Sequence, residues 1–396
     1  MSVELVPGVY WVGAIDWTIR DFHGYSTEMG TTYNAYLIVD EKITLIDTVK
    51  KEFVPEMLSR IAEIIPPEKI TYIISNHVEM DHSGGLAETI ARVTPEKVFC
   101  SPRGKEGLRR HFKEDWPFEE VKTGTELSLG RYHLTFLETP MLHWPDSMMT
   151  YLKEEQLLFS SDAFGAHLAS SERFDEHLPY HPQDYPYQVK KYYANILMPM
   201  GGLISQLFGT IDKLGLTFKM IAPDHGLIYR NPGYVLDLYR QWAHGQTAPK
   251  GLVIYDTMWH STEMLAEAFT QGLMDAGVEA QLHHLRSTHI SDIVTEVLDA
   301  GLLLIGSPTL NNNMFPSVGG FLTYLKGLKP KDKAAAAFGS YGWSGQAVDL
   351  INQELTAMKL KLAHEGFRVR YVPDASELAS ARALGARLAT ENLKKT

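Results

Sequence analysis

From Gly251 onward the chain repeats one pattern: an apolar strand-like run, a short loop and a helical stretch. The strand candidates are "GLVIYD", "VEAQLHHL", "GLLLIGS", "AAAAFGS" and "FRVRYVP", and the clearest helices span 262–276, 347–364 and 375–393. Strands that are apolar at nearly every position are buried on both faces, and parallel strands need helical crossovers between them. Five such units in about 145 residues predict an α/β doubly wound parallel sheet, which collects ligands at the carboxyl ends of its strands. The first part of the chain has a different grammar. Short strand-like runs ("GVYWVGA", "TTYNAYLIV", "ITLIDTV", "KITYIIS", "KVFCS", "YHLTFLE", "QLLFSSD") are separated by Gly, Pro, Asp and Asn, with a helical stretch over 53–65. This predicts two domains, 1–249 and 250–396, the first made of strand-rich layers covered by helices.

Composition removes several function classes. Lys and Arg number 37 against 48 Asp and Glu, a net charge of −11 with no basic stretch to neutralise phosphates, so no nucleic-acid partner is expected. No apolar run approaches the roughly 20 residues that span a bilayer, and the N-terminus lacks a basic segment followed by an apolar one. The single cysteine, Cys100 in "EKVFCSP", allows no internal disulfide and reads as a buried strand residue. A cytoplasmic protein without membrane attachment fits all three observations.

The stretch "NHVEMDHSGG" places His77, Glu79, Asp81 and His82 within six residues, directly after an apolar strand-like run. A cluster of this kind on a loop after a strand resembles the metallo-β-lactamase fold. In that fold later loops supply a His, a bridging Asp and a last His. Candidates stand in that order: His143 in "MLHWPDS", Asp162 in "FSSDAFG" and His225 in "APDHGLI". The resemblance implies His77, Glu79 and His143 on one metal, Asp81, His82 and His225 on the other, and Asp162 between them. Glu79 stands where zinc hydrolases of this fold carry His. Four nitrogens and three carboxylates suit iron cycling between ferrous and ferric states, while zinc also accepts carboxylate. His111, His133, His283, His284, His289 and His364 are read as surface or hydrogen-bonded residues.

Three loops of the second domain each follow a strand candidate. "DTMWHST" brings hydroxyls and backbone N–H groups to a helix N-terminus, a setting for a phosphate dianion that needs no lysine. "SPTLNNN" and "GSYGWSGQ" supply small residues for close backbone approach and aromatic rings for stacking. Each alone is a weak signal, since a Ser/Thr cluster before a helix is more often just an N-cap. Together they resemble the flavodoxin pattern, which implies FMN. On that resemblance Thr257, Met258, Trp259, His260, Ser261 and Thr262 belong to the phosphate loop, although His260 replaces the small residue common in flavodoxins. Pro308, Thr309, Leu310 and Asn311, with Ser340, Tyr341, Gly342, Trp343, Ser344 and Gly345, belong to the ring loops.

The order "HVEMDH", "MLHWPDS", "SSDAFG", "DHG", then "YDTMWHST", resembles the flavodiiron proteins over essentially the whole chain, as do "GTTYNAYLI" and "YYANILMP". With one cysteine there is no rubredoxin module, so the chain is similar to the minimal two-domain type. The resemblance implies an N-terminal αββα sandwich, two non-haem Fe and one FMN per chain, and reduction of O2 to water and/or of NO to N2O in protection against oxygen and nitrosative stress. It also implies a head-to-tail homodimer or a dimer of dimers, and a separate reduced donor such as rubredoxin, or a reduced deazaflavin. His23, in "DFHGYST", matches a family position near the open face of the site and is a candidate donor to bound O2 or NO; its other reading is a surface-loop His. Tyr193 is a second candidate, with core packing as the alternative. Trp144 and Phe164, each beside a ligand, are candidates for an apolar wall. Two other functions remain open: a zinc hydrolase fused to a flavodoxin module, and an electron-transfer or gas-sensing protein with a closed metal site.

Overall fold

The structure is a computed structural model and describes residues 1–177 and 184–393. Two compact units are present: one made of 1–23, 27–193 and 202–240, the other of 24–26, 194–201 and the chain from Gln241 onward.

In the first unit, among the described residues, seven strands lie in the order Val3–Val6, Val9–Trp11, Tyr36–Ile38, Thr44–Ile46, Tyr72–Ile74, Lys97–Cys100, Phe118–Glu120. Five more lie in the order Glu126–Ser128, His133–Glu138, Met148–Leu152, Leu157–Phe159, Met220–Ala222. Successive side chains of a strand point to opposite faces, so a strand covered on both must be apolar throughout. Tyr36, Ile38, Ile46, Ile74 and Phe99 accordingly meet Phe136, Met148, Leu157 and Phe159 of the second sheet in one core. The intervening Leu37, Leu45, Ile73 and Val98 pack instead on Met57, Ile61, Leu86, Ile90 and Leu108 of helices Val54–Ala62, Leu86–Val93 and Pro102–Phe112. Each such fully buried side chain contributes about 1.5–3 kcal/mol. The parallel pairs Thr44–Ile46 with Tyr72–Ile74, and Leu157–Phe159 with Met220–Ala222, end in register. The loops that follow each pair therefore leave the same edge of their sheet.

Cys100 is fully buried in its strand, and burial with the nearby Glu120 charge pushes its thiol up to about 12. A raised pKa keeps the thiol protonated, so iodoacetamide at pH 8 is expected to leave the native protein unlabelled and to label it once denatured. Mass spectrometry of the two samples checks this.

The second unit is a parallel sheet in the order Glu279–His284, Ala248–Tyr255, Ala300–Gly306, Ala334–Tyr341, with Lys361–Leu362 and Phe367–Arg370 both beside the last. Helices Ser261–Asp275 and Ala375–Asn392 cross on one face of it. Glycine is required at that crossing: a Cβ on Gly272 would stand 2.1 Å from Arg382 O. The helix expected over 347–364 is shorter, Gln346–Ala357. Lys359 adopts a left-handed φ of 63°, and Lys361–Leu362 then pairs with Ala334–Ala335, so strand pairing overrides the helical periodicity there. Helices Ile290–Val297 and Pro316–Leu328 were not among the sequence expectations.

One continuous helical run, 184–214, is long and apolar enough to cross a membrane by length and composition, but 50% of its apolar window is buried inside the fold. Core helices of globular proteins meet the same criterion.

Candidate metal centre and flavin loops

The strand Tyr72–Ile74 opens into the loop that carries four of the predicted ligands. Asn76 anchors this loop: its N–H and Nδ2 both donate to Asp47 at 2.7 Å, and its Oδ1 accepts from Thr150 at 2.8 Å. Burial pushes Asp47 up to about 6 even with these bonds. The short helix Met80–Ser83 then turns Asp81 and His82 inward, both buried.

Ligand-type atoms of the seven predicted residues fall into two groups. His77, Glu79, His143 and Asp162 form one and Asp81, His82 and His225 the other, with atoms within 4.8 Å of one another in each. Asp162 faces both. Its Oδ2 lies 3.0 Å from His143 Nε2 and 3.4 Å from His77 Nε2; its Oδ1 lies 3.1 Å from His82 Nε2 and 3.5 Å from His225 Nε2. Glu79 Oε2 is 3.2 Å from His143 Nε2, and Asp81 Oδ2 is 3.2 Å from His225 Nε2.

The electrostatics are those of a site short of positive charge. Burial opposes protonation of His77 and His143, yet hydrogen bonds to carboxylates outweigh it and raise them to about 10 and about 9. Burial likewise opposes the charge on Asp162, but the His82 charge and a hydrogen bond from His143 hold it well below the usual carboxylate range. Both oxygens of Asp81, both ring nitrogens of His82 and Oδ1 of Asp162 are buried without a hydrogen-bond partner. Polar atoms are rarely left so unless something else satisfies them. Buried imidazole and carboxylate donors in two sets sharing a carboxylate fit two cations.

The three predicted flavin loops follow neighbouring strands of the second sheet. In the first, Asp256 is fully buried; it accepts from Thr257 N at 2.7 Å and pairs with Arg286 Nε at 2.9 Å and His284 Nε2 at 3.2 Å. Arg286 also donates to Thr257 O, which pins the loop base from both sides. His260 takes a left-handed φ of 66° and pairs with Glu263, its side chain 78% exposed. Ser261 starts a helix of 15 residues. Thr262 Oγ1 bonds Ser340 Oγ at 2.8 Å, tying the first loop to the third. Left-handed Asn311 and Asn312 close a hairpin between Thr309–Leu310 and Asn313–Met314, with Ser307 Oγ donating to Pro308 O. Ser344 Oγ reaches Asn312 Oδ1 at 3.1 Å, and Gly342 O accepts from Arg370 Nε at 2.9 Å. A Cβ on Gly339 would stand 2.1 Å from Ser307 O, so the second and third loop bases meet only because residue 339 is glycine. Thr257 Oγ1, in the loop before the helix Ser261–Asp275, is buried without a partner, which suits a hydroxyl that donates to a phosphate. Met258, Trp259 and Trp343 are exposed, the two tryptophans by more than four-fifths, and Tyr341 and Gly345 are half-buried.

Comparison with known proteins agrees with both halves. Residues 31–226 match the ODP family beta lactamase domain, and 253–385 match flavodoxin. The nitric oxide reductase of Moorella thermoacetica is 45% identical over 98% of this chain and 98% of its own. The solved rubredoxin oxygen:oxidoreductase of Desulfovibrio gigas is 40% identical, with a TM-score of 0.96 over 99% of this chain and 98% of that one. The flavodiiron protein of Giardia intestinalis is 35% identical, with a TM-score of 0.95 over 98% and 96%. The chain belongs to the flavodiiron proteins.

Around the predicted ligands of this flavodiiron protein, the other candidates separate. His23 lies at a left-handed φ of 56°, its side chain 72% exposed, with Nε2 3.1 Å from Glu79 Oε1. Trp144 stands edge-on to His77, ring centroids 5.3 Å apart. Phe164 is buried against Tyr239 at 4.5 Å, and its backbone N–H donates to Tyr239 OH at 2.8 Å. Tyr193 also packs on Tyr239, at 5.0 Å, the core-packing alternative. Its neighbour Tyr192 is the tyrosine beside the predicted ligands, 5.9 Å from the His225 ring. Sequence reading passed over His167, buried 4.8 Å from the His225 ring with Nδ1 2.8 Å from Thr31 Oγ1. Burial, with the His225 charge, holds it neutral. Its one signal was position, five residues after Asp162 in "DAFGAH".

Proposed function

We propose that this flavodiiron protein reduces O2 to water and NO to N2O, with iron held by His77, Glu79, Asp81, His82, His143, Asp162 and His225 and FMN held by the three loops. The observation that carries this reading is the convergence of all seven residues on two adjoining groups that share Asp162. When bound, iron would supply redox and Lewis-acid chemistry toward the diatomic, and FMN a two-electron store to restore it. Two irons and one flavin together match O2 + 4e⁻ + 4H⁺ → 2H2O, and two electrons suffice for 2NO + 2e⁻ + 2H⁺ → N2O + H2O.

The chain's own residues have definite tasks. Asp162 offers one oxygen to each ligand group. Glu79 points Oε2 toward the ligand histidines and Oε1 toward His23. His23 thereby sets a ring nitrogen at the exposed side of the site, placed to hold a proton near an incoming substrate. Trp144, edge-on to His77 and His143, covers those two histidines against water.

Further parts of the reading rest on the family and on surface chemistry. We place the domain boundary at residue 249, in the interval between the two matched segments. A head-to-tail homodimer, alone or paired into a dimer of dimers, is supported by large apolar side chains left exposed in each unit: Trp17, Met80 and Met141 in the first, Met258, Trp259 and Trp343 in the second. Rubredoxin is the proposed donor, after the name of the Desulfovibrio gigas relative, and the cytoplasm the proposed compartment.

Protein purified without oxygen after iron-replete expression is expected to hold two Fe and one FMN per chain. With reduced rubredoxin it is expected to consume O2 without releasing hydrogen peroxide, and to convert NO to N2O. Two zinc ions, or peroxide as the main product, would remove the proposal in favour of a hydrolase or a simple oxidase.

A further inference from the structure

The histidines of the two ligand groups are backed in different ways. His77 Nδ1 lies 2.9 Å from Asp146 Oδ2, and the same oxygen accepts from Val78 N at 2.8 Å. Asp146 is 4% exposed, and its carbonyl accepts from Ser101 Oγ at 2.7 Å. In the other group, His225 Nδ1 faces a neutral acceptor, Thr32 O, at 2.6 Å. His82 Nδ1 stands 3.8 Å from Asp224 Oδ2, beyond hydrogen-bond reach. One group therefore has a histidine backed at Nδ1 by a hydrogen-bonded carboxylate, and neither His82 nor His225 of the other has one there.

This difference has an electronic meaning. An imidazole that shares its N–H with a carboxylate is fixed in one tautomer and becomes a stronger donor at the opposite nitrogen. Sharing with a carbonyl fixes the tautomer but adds less negative charge. A stronger donor favours the ferric over the ferrous ion.

We propose that Asp146 is a positioning residue that makes the two metal positions unequal. By holding the His77 proton on Nδ1 and presenting Nε2 as an electron-rich donor, it gives the position of His77, Glu79 and His143 the lower reduction potential of the two. This inference rests on the diiron reading proposed above. Asp146 also ties the His143 loop to Val78 and Ser101, so a purely mechanical role is the competing account.

The test is a redox titration of the iron-loaded holoprotein, with dithionite as reductant and EPR as the readout. The native protein is expected to show two separate iron reduction steps. Asp146→Asn keeps an oxygen for Val78 N–H but removes the negative charge. It is expected to move the lower step up toward the other and leave the upper one in place, with FMN content unchanged and the iron bound about 10–100-fold more weakly. Ser101→Ala releases the backbone tie and keeps the carboxylate, so both steps are expected at their native potentials. Unmoved steps in Asp146→Asn would overturn the inference, as would the same shift in Ser101→Ala. Should Asp146→Asn not accumulate as folded protein, the native titration decides, and a single coincident step for both irons overturns the inference. A native protein that takes zinc in place of iron overturns the diiron reading first, and this inference with it.

Discussion

Asp162→Asn is expected to reduce iron content from two per chain to less than one and to abolish O2 and NO reduction, while FMN stays bound. The asparagine keeps the shape of the side chain but offers one acceptor and one NH2 group. Since Oδ2 faces His143 and His77 and Oδ1 faces His82 and His225, one ligand group must then meet a donor where it had a carboxylate oxygen. Replacing an outer residue of a metal site typically costs about 10–100-fold in affinity or activity, and losing a ligand that serves both groups should exceed that. Unfolding is not the expected cause. Without metal, Asp162 repels Glu79 and Asp81 but attracts His82 and His143, so its removal relieves repulsion and loses attraction together, and the near-isosteric asparagine keeps the packing. Iron and flavin analysis of the purified variant, together with its rates on both gases, checks this. Two irons with native rates would show that Asp162 is not shared between the metals.

Ser261→Asp is expected to have the opposite selectivity: iron retained, FMN lost. Ser261 is the first residue of the helix Ser261–Asp275, where the partnerless Thr257 hydroxyl and the helix N-terminus favour a phosphate dianion. A carboxylate there meets the ligand as a like charge. One pair of unit charges about 4 Å apart is worth ~4 kcal/mol near a protein surface, which corresponds to roughly 10³-fold weaker FMN binding. Acidic residues are otherwise favoured in the first turn of a helix, so the fold itself should tolerate the change. Titration of the deflavinated variant with FMN measures the loss. With flavin absent, turnover driven by reduced rubredoxin should stop, although iron content stays at two. An FMN affinity within a few-fold of native would place the phosphate elsewhere.

Much of this architecture was legible because its signals are local. Apolar runs such as "GLLLIGS" mark strands buried on both faces, and ligand-type residues directly after such runs mark strand-end loops. The order of His77, Glu79, Asp81, His82, His143, Asp162 and His225 was therefore readable without any distance. The residues that back these ligands were not. Asp146 lies inside the quoted "MLHWPDS" and Asp47 inside "ITLIDTV", yet what each does depends on a partner far along the chain, His77 for the one and Asn76 for the other. Nothing in the spacing of an aspartate reveals its hydrogen-bond partner. The overrun of the helix beyond Ala357 has the same origin. Its periodicity continues, and the pairing of Lys361–Leu362 with Ala334–Ala335 ends it. Tyr192 and Tyr193 show the limit most sharply, since adjacent and identical residue types point to different neighbours.

The parallel pairing of Leu157–Phe159 with Met220–Ala222 bears on how the protein is made. It sets Asp162 beside His225, and His225 is the last of the proposed ligands to leave the ribosome. Roughly 150 residues lie between His77 and His225, so at ~5–20 residues per second the nascent chain carries an incomplete chelate for on the order of 10 s. During that interval the stretch from His77 to His82 is open to whichever divalent ion binds nitrogen and oxygen most tightly, and among the common ones iron ranks below copper and zinc. On the proposed ligand set, the metal first bound then depends on what the cell offers as that strand docks, and the supply of iron during expression becomes part of the protein's chemistry.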